Sequence, residues 1–234
     1  MIPLKDDTPS STYPYVTLTI VAVNVAVFLY EAVLGPLGLE IFIRRAGAIP
    51  LEVVNMVDLY PPSFLPPPLT LFTAMFVHGG FFHLAGNMLF LWIFGDNIED
   101  AMGHFKFIVF YLGTGLIASF AHIASDVYSV VPMVGASGAI AGVLGAYFLL
   151  YPRANVLTLV FLFFFVTFVR IPAVIFLGLW FFFQIMSSGA ASDGVAWFAH
   201  IGGFVAGVAG VYLFVPSARR RRRKSPPMGG GRRF

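Results

Sequence analysis

The sequence predicts an all-α polytopic membrane protein: six spanning helices in one bundle, with a long first loop lying partly in the interface. Three observations carry this expectation. Of the 234 residues, 59% are hydrophobic and only 11% charged, with 27 Phe, a balance outside the range of ordinary soluble domains. The apolar runs are separated by stretches rich in charge, Pro and Gly, as spans are separated by loops. Small residues recur at helical spacing in two of the runs, the pattern that lets helix backbones approach closely in lipid. Cysteine is absent, which removes disulfide, zinc-thiolate and Cys-nucleophile chemistry. The net charge of +3 says little, because the cations concentrate at Arg219–Arg223 and Lys224.

Residues 1–14 are polar and are expected to form a cytoplasmic N-terminal segment ahead of a membrane domain at 15–215. Tyr15–Val33 is the first span, interrupted only by Asn24 and Glu31; its leader is not basic, so a retained helix is expected rather than a signal peptide. Residues 35–69 form a long connection whose apolar content, between Arg44, Arg45, Glu52 and Asp58, suits the interface. The second span carries His78, His83 and Asn87 and runs through 88–94, with a polar turn expected at 95–106. Residues 107–124 make the third span, and a loop with Asp126 and Pro132 leads to the fourth, from Ser137 to Tyr151. Within it Gly138, Gly142 and Gly145 form a small-residue face. Residues 155–187 are almost wholly apolar, broken by Arg170-Ile171-Pro172, and fit one span or two. The last span runs from Trp197 to Val215, with Ala199, Gly203 and Gly207 as a second small-residue stripe. Residues 216–234 read as a disordered basic cytoplasmic tail.

Charge sets the orientation. Lys106, Arg153 and the tail place their ends in the cytoplasm, so the second, fourth and last spans begin at the opposite face. Counting back from the cytoplasmic ends, His83 is thirteen residues above Asp96, Ser137 fourteen above Tyr151, and His200 fifteen above Val215. At about 1.5 Å per residue these are roughly 20, 21 and 22 Å, so three polar side chains from three spans reach one level. Ser137 and His200 share a face only if an odd number of spans separates their helices. Residues 173–186 are therefore the fifth span, and 156–169 an interfacial or re-entrant piece.

His83 and Asn87 lie four apart on one helix face, whereas His78 and His83 are five apart and lack the i, i+4 pairing with an adjacent Glu that zinc-binding helices use. Polar groups in a span are costly and mark either function or interhelical hydrogen bonding. Gly135-Ala136-Ser137-Gly138, the array His78, His83, Asn87, and Ala199-His200-Ile201-Gly202-Gly203 together resemble the rhomboid intramembrane serine proteases. The resemblance covers about residues 15–215, including the polar run from Gly95 to Asp100. It implies a catalytic dyad, with Ser137 as nucleophile and His200 as general base and then acid. It also implies an oxyanion site from His83, Asn87 and the Ser137 N–H. Ala141 stands where family members often carry an aromatic residue on the His, which leaves the orientation of His200 open, and the Trp-Arg pair often seen in the first loop is not evident.

No cofactor, metal or nucleic-acid partner is expected. The expected substrates are single-span membrane proteins with locally weak helices, cut by a multi-pass protein of a bacterial inner membrane with its site toward the extracytoplasmic face. The alternatives are a non-catalytic rhomboid-like protein that binds membrane clients and a His-lined transporter. The Arg219–Lys224 tail either adheres to anionic lipid or only fixes orientation.

Overall fold

The computed structural model describes residues 1–217 except 60, 163–164 and 189–195. The expected tail contact with lipid falls outside the described residues. Helices at α1 (Tyr15–Val33), α5 (Phe81–Met102), α6 (His104–Ser125), α7 (Ser137–Leu150), α8 (Ala173–Ser187) and α9 (Trp197–Phe214) correspond to the six expected spans. α1, α6 and α9 are long and apolar enough to cross a membrane, and α5 qualifies together with the short helical piece Pro67–Phe76, which meets it at an 80° bend. α7 and α8 are apolar but shorter. The protein is an integral membrane protein built as a helical bundle. Its outward faces carry apolar side chains, Leu29, Trp92, Phe120 and Leu213 among them, as a surface against lipid requires.

The shortest of these six helices, α7, is the centre of the bundle. Every residue of α7 from Gly138 to Tyr147 is buried. Fourteen residues at about 1.5 Å rise cover roughly 21 Å, so a helix enclosed on all sides need not cross the full hydrocarbon thickness of about 30 Å. Glycine makes the enclosure tight. A Cβ at Gly203 would fall on the carbonyl of Gly138, and one at Gly207 on the carbonyl of Gly142, so α7 and α9 touch backbone to backbone.

α5 does not stop at the polar turn expected over 95–106. It continues to Met102 and reverses at Gly103, whose φ of +84° suits glycine. The reason is that its acidic residues find partners. Glu99 is fully buried and accepts bonds from the N–H groups of Val16 (2.9 Å) and Thr17 (2.8 Å) and from the Thr17 hydroxyl (2.7 Å), with His104 Nδ1 at 2.6 Å. A carboxylate thus caps the N-terminus of α1, where unpaired donors and the helix dipole favour negative charge. Asp100 accepts from Ser11 and Thr12 in the same way.

The long first connection holds α2 (Gly35–Ala46) and α3 (Pro50–Asn55), with α4 (Thr70–Thr73) in the bent piece beyond. Arg45 ties the connection together: its guanidinium lies 4.2 Å from the Phe64 ring centre and its Nε donates to the Pro62 carbonyl.

A three-stranded antiparallel sheet, order β1-β2-β3, adds to the helical bundle. β1 (Ile2–Asp6) pairs with β2 (Asn155–Leu162), which forms a hairpin with β3 (Phe165–Pro172), from Asn155 opposite Pro172 to Leu162 opposite Phe165. The stretch read as an interfacial or re-entrant piece is therefore a β-hairpin, and it is not a spanning helix. The first residues of the chain belong to the folded unit, because they supply the edge strand.

Candidate active site

The site begins at the entry to α7. Gly135 adopts φ +119° and donates its N–H to the Ala74 carbonyl at 2.8 Å. A Cβ there would lie 2.7 Å from the His83 ring, so both backbone and space demand glycine. This turn sets Ser137 as the first residue of α7, where the leading N–H groups have no intrahelical acceptor.

Ser137 Oγ lies 2.8 Å from His200 Nε2 on α9. The backbone contact between the two helices fixes that distance, with Gly203 one turn from His200 on the same face. The other ring nitrogen, His200 Nδ1, lies 2.7 Å from Oε1 of Gln184 on α8. Two indoles flank the imidazole: Trp180 at 6.0 Å between ring centres and Trp197 edge-on at 5.9 Å. The orientation of His200, left open by Ala141, is thus set by α8 and by the start of α9 itself.

His83 and Asn87 line the same cavity as Ser137 and His200, on one face of α5. Asn87 Nδ2 is 3.0 Å from His78 Nε2, and the His78 and His83 rings meet edge-to-face at 5.0 Å. His78 lies just before the helix and is fully buried; its backbone N–H donates to Glu31 of α1 at 3.0 Å. The cavity has a volume of about 760 Å³ and, among the described residues, no carboxylate lines it. A hydroxyl, imidazoles and amides lining one cavity can activate an alcohol and hold an oxyanion without a charged third partner.

Sequence reasoning missed Gln184 and His122, both of which line the cavity. Gln184 carried a signal: it is the single amide in an otherwise apolar helix.

The rhomboid domain family model matches residues 68–217, about two thirds of the chain and all of the helices that bear the site. The chain belongs to the rhomboid family. It is 29% identical over 160 residues to the mitochondrial Rhomboid protein 1 of Saccharomyces cerevisiae, covering 64% of this chain and 43% of that one. It is 46% identical over 76 residues to Rhomboid protease GluP of Bacillus subtilis, covering 32% of this chain and 14% of that one. A third relative is the bovine mitochondrial presenilin-associated rhomboid-like protein, 33% identical over 124 residues, with 50% of this chain and 32% of that one covered. This rhomboid domain therefore spans less than half the length of each of these relatives.

Proposed function

We propose that this chain is an intramembrane serine endopeptidase that cleaves membrane-spanning segments by a Ser137–His200 dyad. The observation that carries the reading is the 2.8 Å contact of Ser137 Oγ with His200 Nε2 inside a cavity between helices. A serine hydroxyl is a weak nucleophile until a base takes its proton, and His200 Nε2 is within reach to do so.

The reaction proceeds in two halves. As Ser137 Oγ attacks the scissile carbonyl carbon, its proton moves to His200 Nε2 and the carbonyl oxygen becomes an oxyanion. The Ser137 N–H, at the positive end of α7, stabilises that charge together with donors from Asn87 and His83. His200 then gives its proton to the leaving nitrogen as the C–N bond breaks, leaving an acyl ester on Ser137. A water molecule, deprotonated by His200, attacks the ester and restores the hydroxyl. The cavity volume leaves room for that water. Single-span membrane proteins whose helix is locally weak are the substrates, because a helical carbonyl is already hydrogen-bonded. The site opens toward the extracytoplasmic face of a bacterial inner membrane, the orientation supported by Lys106 and Arg153 at the opposite ends of their helices.

The test is labelling by a serine-directed fluorophosphonate, with cleavage of a membrane-span reporter measured in parallel. Ser137→Ala abolishes both and His200→Ala abolishes cleavage. Full activity in either folded variant overturns the reading.

A further inference from the structure

The dyad needs its imidazole in one tautomer: Nε2 bare to accept the serine proton, Nδ1 carrying hydrogen. Nothing in Ser137 enforces this, since a hydroxyl can donate to Nε2 or accept from it. Gln184 breaks the ambiguity. Its Nε2 lies 3.2 Å from the backbone carbonyl of Trp180, one turn earlier on α8, and a carbonyl only accepts. The amide nitrogen is therefore committed to Trp180, which turns the amide oxygen toward His200 Nδ1, 2.7 Å away. An amide oxygen only accepts, so Nδ1 must be the N–H. The bare nitrogen is then Nε2, 2.8 Å from Ser137 Oγ.

We propose that Gln184 is the positioning residue of the dyad: through an amide clamped on the Trp180 carbonyl, it fixes both the rotation and the tautomer of His200. The inference rests on the proposed protease reading and extends it to a third helix, α8. Gln184 is buried, so losing His200 as a partner would leave a costly unpaired oxygen. Trp180, one turn earlier, stands beside the ring with its centre 6.0 Å from that of His200. The third partner is neutral. It selects a tautomer without the charge of a carboxylate, and so does not favour the imidazolium form in the resting protein.

The experiment compares the parent with Gln184→Leu, Gln184→Glu and Ser137→Ala in detergent, reading the rate of fluorophosphonate labelling against pH and the melting temperature. Gln184→Leu keeps the volume but removes the acceptor, and its labelling slows by about 10–100-fold, the scale set by misplaced reacting groups. Gln184→Glu restores an acceptor and recovers most of the rate. Its negative charge favours the protonated imidazole, so the acid limb of its labelling profile moves to higher pH. A residue that merely packs would leave that limb in place. Unchanged labelling in Gln184→Leu overturns the inference, as does an unmoved limb in Gln184→Glu. The second result decides alone if Gln184→Leu fails to fold. A parent that does not label at all overturns the protease reading itself, which is a separate outcome.

Discussion

Asn87 Nδ2 stands 3.0 Å from Nε2 of His78, a residue nine positions earlier and within the bend that leads into α5. The bond occupies one amide hydrogen and leaves the other, on a side chain that lines the cavity. His78 Nε2 is the acceptor, so its Nδ1 carries the proton.

If the free Asn87 hydrogen serves the oxyanion, Asn87→Ala lowers turnover by roughly 10²–10³-fold with little change in substrate affinity. If Asn87 only joins helices, the cost is stability of about 0.6 kcal/mol with turnover intact. Melting temperature and single-turnover rate on the same preparation separate the two. His78→Leu, which releases the amide without deleting it, is expected to slow turnover less than Asn87→Ala does.

Glu31 reaches the same network from α1. Its carboxyl oxygens accept the backbone N–H of His78 at 3.0 and 3.4 Å, and the side chain is buried. Glu31→Ala leaves that buried donor unpaired, at a cost of about 1–3 kcal/mol. Glu31→Gln keeps an acceptor and should recover most of the loss. Equal melting temperatures for parent and Glu31→Ala would remove Glu31 from the support of the site.

Much of this arrangement was legible in the sequence, and the failures have physical causes. Depth counting brought Ser137 and His200 to one level because helical rise is nearly constant, and α1 matched its expected bounds because it is apolar over most of its length, Asn24 and Glu31 aside. The β-hairpin was not legible. From Val156 to Val169 both faces are apolar apart from Thr158 and Thr167, so the alternation that marks a strand is missing. β1 was hidden for the opposite reason, since Pro3, Lys5 and Asp6 look like solvated tail until β2 is there to pair with them. The end of α5 was misread because the α1 donors to Glu99 and the Ser11 and Thr12 hydroxyls that donate to Asp100 lie more than eighty residues earlier in the chain.

The α7–α9 contact predicts a graded effect of added methyl groups. Gly203→Ala and Gly207→Ala each put a Cβ against a backbone carbonyl, which cannot rotate away. The helices must part, costing about 1–3 kcal/mol in each case. Gly203 lies one turn from His200 and Gly207 two, so Gly203→Ala should lose more turnover, on the scale of about 10²-fold for a displacement near 1 Å. Gly178→Ala is the control, because the nearest atom to its Cβ would be Phe148 Cε2 at an ordinary 3.9 Å. Parent-like turnover in Gly203→Ala would mean that the α7–α9 spacing does not set the dyad.

The docking of β1 should depend on pH through Asp6. Its carboxyl accepts bonds from the Tyr147 hydroxyl and from Asn97 Nδ2, the latter at 3.1 Å, and so joins β1 to α7 and α5. Burial raises its pKa from 3.8 to about 6, the bond from Tyr147 opposes the rise, and the charge of Asp96 adds to it. A carboxyl whose pKa is raised on folding binds its proton more tightly when docked than when free. Its stabilising contribution is therefore complete below about pH 4 and is lost as pH climbs through about 6. Neighbouring Asp7 is held by Asn155, whose backbone and side-chain N–H groups donate to it at 2.7 and 2.8 Å, so β1 keeps an anchor while Asp6 ionises. Hydrogen-exchange protection factors for the paired amides of β1 and β2, corrected for the intrinsic pH dependence of exchange, report the docking. They should be higher at about pH 5 than at about pH 7.5 in the parent. Asp6→Asn, which cannot ionise, should give protection that is flat across that range and higher than the parent at the alkaline end. Parent protection that does not change with pH, or that rises with it, would show that Asp6 does not control the strand.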